Sequence, residues 1–224
     1  YLRDHRVTGT TSTGNLPLKA VAEVASCFVN PPVLETKIGD RVFRFRSEEE
    51  VFGVYFVHRL ANGAGLVYGG PGLRWRLTQK GEKFFTENVL VQVFMLLHAW
   101  WYKVNWLEAT AFDIFGESLS PAVPRAARNL LRENRAGQTV EYAPFIDRLI
   151  KDVVWGWDDR QPGDTREWIQ GEMEKMLVRP LEDFGVLVTE QVTERQQEGT
   201  GIFKRTTLIS FALTDFGRVL IDGL

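Results

Sequence analysis

Two stretches of this chain, far apart in sequence, run through the same order of residues, and that duplication constrains the fold more than any other feature. In the first, the apolar helical stretch Val51 to Leu60 leads to Gly65-Leu66-Val67, a glycine-rich turn (Gly69-Gly70-Pro71-Gly72), the alternating strand Leu73 to Leu77, and Thr78-Gln79-Lys80-Gly81. In the second, Met173 to Phe184 leads to Gly185-Val186-Leu187-Val188, a polar loop, the strand Thr207 to Leu213, and Thr214-Asp215-Phe216-Gly217. The shared skeleton is helix, glycine, strand, turn, strand, Leu-Thr-x-x-Gly. A glycine after a helix supplies the left-handed C-cap, which places Gly65 and Gly185 at helix ends. Leu73, Trp75 and Leu77 alternate with Arg74 and Arg76, the pattern of a strand with one buried face. Thr78 and Thr214 stand where an N-cap belongs, ahead of a short closing helix.

The remaining sequence is read as mostly helical. Apolar residues at 18, 21, 24, 25 and 28 predict a helix from Leu18 to Phe28, and Arg41 to Arg46 alternates as a strand. Val89 to Tyr102 (VLVQVFMLLHAWWY) is the longest apolar run; it is too short to span a bilayer, which takes roughly 18 to 20 residues, and predicts a buried helix continuing to about Phe112. Further helices are expected from about Pro121 to Asn134 and from about Pro144 to Trp155, with prolines 121, 124 and 144 near helix starts, where they are tolerated. The expected class is therefore mostly α with small β hairpins (α+β): a first unit over 1–85, a connecting helix over 86–116, and a second unit over 117–224.

Composition narrows the function classes. With 44% hydrophobic residues and 12% aromatics the chain can fill a core, and its 27 basic and 29 acidic residues leave a net charge of −2, so contact with nucleic acid or an anionic membrane must be local. The one cysteine, Cys27, excludes an intrachain disulfide and a cysteine-based zinc site; in its apolar setting (VAEVASCF) it is expected to be a buried thiol in a cytoplasmic protein. The opening at Tyr1, with no basic-then-apolar leader after it, reads as a trimmed chain.

The duplicated skeleton resembles the wing of winged helix-turn-helix proteins, especially regulators of the multiple-antibiotic-resistance type, in which a helix ends in Gly-Leu-Val before a hairpin and a Leu-Thr-x-x-Gly helix start. The resemblance implies two winged-helix-like units and a wing that reaches towards DNA. The opening Thr11-Ser12-Thr13-Gly14-Asn15-Leu16-Pro17, with the first wing, also looks like a group of uncharacterised bacterial plasmid-borne or transposon passenger proteins; that resemblance implies no activity and no catalytic residue.

The residues offer one clear binding pattern. Arg125, Arg128, Arg132 and Arg135, spaced by three, four and three, form a stripe along a helix that can follow a phosphate backbone, each guanidinium giving charge-assisted hydrogen bonds. The plainer alternative is a solvated face paired with acids such as Glu133. On the first wing Arg74 and Arg76, followed by Lys80 and Lys83, can reach adjacent phosphates. The helices that would read bases argue against sequence-specific recognition: Glu48 to Ala64 opens with three acids and has Arg59 as its one formal cation, and Asp164 to Phe184 carries six acids against three bases. Double-stranded DNA is thus one expected partner, and a protein partner or self-association the other. Trp75, Trp100 and Trp101 are expected in the core rather than on a stacking platform. An enzyme of unknown type, its site assembled from distant residues, is the third reading and finds little footing: His5, His58 and His98 lack metal-ligand spacing, Asp158, Asp159 and Asp164 lack calcium-loop spacing, no phosphate-cradling or dinucleotide glycine motif occurs, and no cofactor or metal is expected.

Overall fold

In the computed structural model the chain is described over residues 1–106, 123–153, 163–198 and 201–224. It divides into two compact units, Tyr1–Val104 and Asn105–Leu224, each combining helices with small antiparallel sheets in an α+β arrangement.

Unit 1 runs β1 (Val7–Thr8), α1 (Leu18–Ala25), a hairpin of β2 (Glu35–Ile38) and β3 (Arg41–Arg44), α2 (Phe52–Gly63), β4 (Val67–Gly70), β5 (Leu73–Leu77), α3 (Gln79–Phe84) and α4 (Val89–Tyr102). β5 lies between β1 and β4 in a three-stranded sheet, with Val7 opposite Trp75 and Val67 opposite Leu77. The inward face of β5 places Trp75 among Val7, Leu16, Val21, Val54 and Val67. Its indole N–H donates to the Gly14 carbonyl at 2.8 Å, so the Thr-x-Thr-Gly-Asn-Leu-Pro opening is a strap tied to the hairpin. α4 belongs to this unit rather than to a separate connector: it packs on α2, where Phe56 meets Trp100 edge to face at 5.0 Å.

Unit 2 runs α5 (Val123–Arg132), β6 (Thr139–Glu141), α6 (Tyr142–Val153), α7 (Gly163–Met173), a π-helical turn (Glu174–Val178), α8 (Arg179–Asp183), β7 (Leu187–Glu198), β8 (Gly201–Leu213) and α9 (Asp215–Gly223). Here too the second hairpin strand is central: β8 lies between β6 and β7. Leu131, Ile146, Leu149, Ile150, Met176 and Phe211 are buried, with Phe145 edge-on to Phe211 at 5.0 Å. Pro180 has no N–H to return to the carbonyl four residues earlier, and the winding widens into the π turn just ahead of it.

The two helix–hairpin–helix joints are built from the same bonds. Gly65 and Gly185 take φ of 69° and 70°, the left-handed turn that ends a helix. Their N–H groups donate to Asn62 and Glu182, while Leu66 and Val186 donate to Ala61 and Leu181, each at 2.8 Å, closing the last turns of α2 and α8. The Thr78 hydroxyl accepts from Gly81 N (2.9 Å) and donates to the Gly65 carbonyl (2.7 Å); the Thr214 hydroxyl accepts from Gly217 N and donates to the Gly185 carbonyl, both at 2.8 Å. A Cβ on Gly81 would lie 2.0 Å from the Leu66 carbonyl oxygen, and one on Gly217 2.0 Å from that of Val186. The Thr-x-x-Gly signature is therefore a cap followed by a close backbone approach.

Four expectations need correction. α1 stops at Ala25, so Cys27 is exposed on the turn beyond it, where its thiol donates to the Glu23 carbonyl at 3.4 Å. The apolar run from Val89 is only half buried: Leu97, Ala99, Trp100 and Trp101 face the core, while Val89, Leu90, Val91, Phe94 and Tyr102 are exposed, because only one side of α4 meets the unit. The polar stretch after Val188 is not a loop, since β7 and β8 continue through it in register from Leu187 opposite Leu213 to Glu198 opposite Gly201, held by backbone pairing that needs no apolar side chains. The strand at Arg41 pairs with β2, which the apolar pattern had not revealed. Trp75, Trp100 and Trp101 are all buried. Residues 107–112 of the expected connecting helix, Pro121, Trp155 and the acids Asp158 and Asp159 lie outside the described residues. Among the described residues no helix is long and apolar enough to cross a membrane.

Candidate nucleic-acid interface

Arg125, Arg128 and Arg132 of the expected stripe lie on α5, but the helix ends at Arg132, so Arg135 stands beyond it and the four do not share one helical face. Ala127, Leu130 and Leu131 bury one side of the helix, and Arg125 and Arg135 are exposed with no ion pair among the described residues. Arg128 and Arg132 are half buried rather than solvated. The Arg128 guanidinium donates to the Leu224 carbonyl at 2.8 Å, and that of Arg132 to the Ile221 and Asp222 carbonyls at 3.3 and 2.8 Å. These are carbonyls at the end of α9, where a helix has acceptors without intrahelical partners and where its dipole favours a cation. In return Arg218 of α9 donates to the Arg132 and Asn134 carbonyls at the end of α5, at 2.8 and 2.9 Å. Two of the four stripe arginines thus cap a helix. Glu133, the expected partner of the stripe, instead forms a two-pronged pair with Arg148 of α6 at 2.6 and 2.9 Å.

On the first hairpin Arg76 is exposed and sits opposite Tyr68, whereas Arg74 is half buried with its Nε enclosed and without a hydrogen-bond partner. Lys80 donates to the Ala64 carbonyl at 2.7 Å, capping α2. Arg76, Arg125 and Arg135 are therefore the candidates free to meet phosphate. The helix before each hairpin shows little for base reading. α2 turns Val57 and Asn62 outward and holds Arg59 over the Tyr55 ring at 5.0 Å; on α7 to α8, Arg166 pairs with Asp147, Lys175 with Glu172, and Arg179 with Glu174 and Glu182.

Reading the acids before α2 as one charged cluster misses a different arrangement. Glu48 is buried, 1% exposed, and its carboxylate accepts from Leu16 N at 2.7 Å and from His58 Nδ1 at 2.8 Å. Glu49 turns to Asn15, and Glu50 accepts from Arg46 N at 2.9 Å. Burial of part of the Glu49 carboxylate pushes its pKa up, but hydrogen bonds from Ser47, its own backbone and Asn15, with the Arg59 charge, outweigh this and hold it below the ordinary value. His58 packs edge-on to Trp75 with ring centroids 4.3 Å apart and lines a cavity of about 370 Å³. The signal available in sequence was a glutamate ten residues before a histidine, with nothing periodic to join them. Among the described residues no group of three or more His, Cys, Asp or Glu gathers as a metal site. No protein-family model, curated protein or solved structure matches the chain.

Proposed function

We propose that this chain is a non-catalytic protein of two winged-helix-like units that associates with double-stranded DNA through the phosphate backbone. The observation that carries the reading is the repeated joint: in each unit a glycine-capped helix leads into a hairpin whose second strand is the centre of a three-stranded sheet, with the same threonine cap beyond it. Arg76 on the first hairpin, Arg125 on α5 and Arg135 just beyond its end supply free guanidiniums. The outward face of α2 and the paired charges of α7 and α8 support contact without base reading.

Fluorescence anisotropy with a labelled duplex at low salt tests this. Binding should be similar for unrelated sequences, and replacing Arg76, Arg125 and Arg135 together by glutamine should flatten the log–log salt slope by about three. Absence of binding at low salt, where screening is weakest, overturns the DNA reading. The second reading, self-association, is favoured by α4, whose Val91, Phe94, His98 and Tyr102 recur at helical spacing along one exposed side. Sedimentation of the wild type and of Phe94→Glu distinguishes it.

A further inference from the structure

Unit 1 contains a cavity of about 370 Å³ within the range of small-molecule sites, walled by the turn Tyr1–Asp4 and by apolar side chains that include Val24, Val54, Ala61, Val67, Leu77 and Phe85. Apart from Tyr1, Arg3 and Asp4 on the turn, one polar side chain, His58, interrupts the apolar wall. The His58 side chain is 9% exposed, and its Nδ1 is held by Glu48, which does not line the cavity. Nδ1 and the Glu48 carboxylate share one hydrogen bond, and Nε2 is the ring's other hydrogen-bonding atom. That nitrogen is buried and has no hydrogen-bond partner. The T-shaped contact with Trp75 and the bond to Glu48 fix the ring, so the unpartnered nitrogen is pre-oriented.

We propose that unit 1 binds a small, mainly hydrocarbon molecule carrying one hydroxyl group, with the apolar body in this cavity and the hydroxyl hydrogen-bonded to His58 Nε2. The walls supply affinity for the body and the histidine supplies orientation and discrimination, the division of labour usual in such sites. The Tyr1–Asp4 turn that walls the cavity is held by Tyr1 Oη on Glu23 and by Arg3 on Glu82. The proposal does not depend on DNA association.

Benzyl alcohol and toluene, alike in shape but not in hydroxyl, test it on the whole chain, with benzoate as a third probe. The readout is the NMR shift of the Leu16 amide, which reports on Glu48, and of the Trp75 indole N–H. Benzyl alcohol should bind saturably and roughly tenfold more tightly than toluene, the factor expected for one hydrogen bond. In His58→Phe that advantage should vanish. Ala61→Phe, which fills the cavity while leaving the Glu48–His58 pair, should abolish binding of both; it decides the matter if His58→Phe does not fold. The proposal is overturned if benzyl alcohol gives no saturable shift, if the two bind wild type equally, or if benzoate binds more tightly than the alcohol.

Discussion

Replacing Gly217 by alanine separates two physical effects of opposite sign. Gly217 lies in the first turn of α9, and by helix propensity alone alanine there should stabilise by up to about 1 kcal/mol. The backbone leaves no room for it. The new methyl would sit 2.0 Å from the Val186 carbonyl oxygen, roughly 1.3 Å short of ordinary contact. That oxygen also accepts from Thr214 N at 3.0 Å, so moving it away opens the joint. Overpacking costs about 2 kcal/mol, the lost threonine cap about 1, and one further hydrogen bond about 1; less the propensity gain, the net is about 3 kcal/mol of destabilisation. With a urea slope of about 1–3 kcal/mol/M, the midpoint of the affected unit should fall by about 1 M or more, read by tryptophan fluorescence. Gly81→Ala, 2.0 Å from the Leu66 carbonyl, should behave alike in unit 1. Gly171→Ala is the control: it is helical with nothing within 4 Å of the added methyl, so propensity should prevail. If Gly217→Ala and Gly81→Ala are tolerated as well as Gly171→Ala, the close-approach argument is wrong.

Arg128→Gln with Arg132→Gln should destabilise unit 2 by about 2–4 kcal/mol, since charged hydrogen bonds to the carbonyls of α9 are lost, and the urea midpoint should fall without any nucleic acid present. A neutral outcome would mean that these caps contribute nothing. Glu48→Leu strands the Leu16 N–H and His58 Nδ1 in the core and should cost about 3 kcal/mol or more, with Glu48→Gln losing less because its carbonyl still accepts one of them; equal losses would refute that account.

How much of this was legible in the sequence follows the range of the interactions. Gly65, Gly185, Thr78 and Thr214 act on atoms a few residues away or across one hairpin, so local residue chemistry identified both joints. Trp75, Trp100 and Trp101 were placed in the core by their apolar neighbours. The partners of Arg128 and Arg132 lie about ninety residues further along, and no helical periodicity carries that information. The same holds for Glu48: three acids in a row look alike until the fold buries one against Leu16 and His58. The second hairpin was expected but its length escaped, because the residues around its turn are polar and backbone pairing leaves little trace in hydropathy.

The exchange of arginines between α5 and α9 has a consequence for the order in which unit 2 can be completed. α5 is the earliest described helix of the unit to be synthesised, yet two of its terminal carbonyls wait for Arg218, while the end of α9 needs guanidiniums made some ninety residues before it. On the ribosome, the hairpin of β7 and β8 can pair before either helix end is closed. The mutual latch between α5 and α9 cannot be complete until Leu224 has left the exit tunnel. Until that moment α5 should exchange its amide hydrogens like a fraying helix; afterwards, α5 and α9 should open together rather than separately.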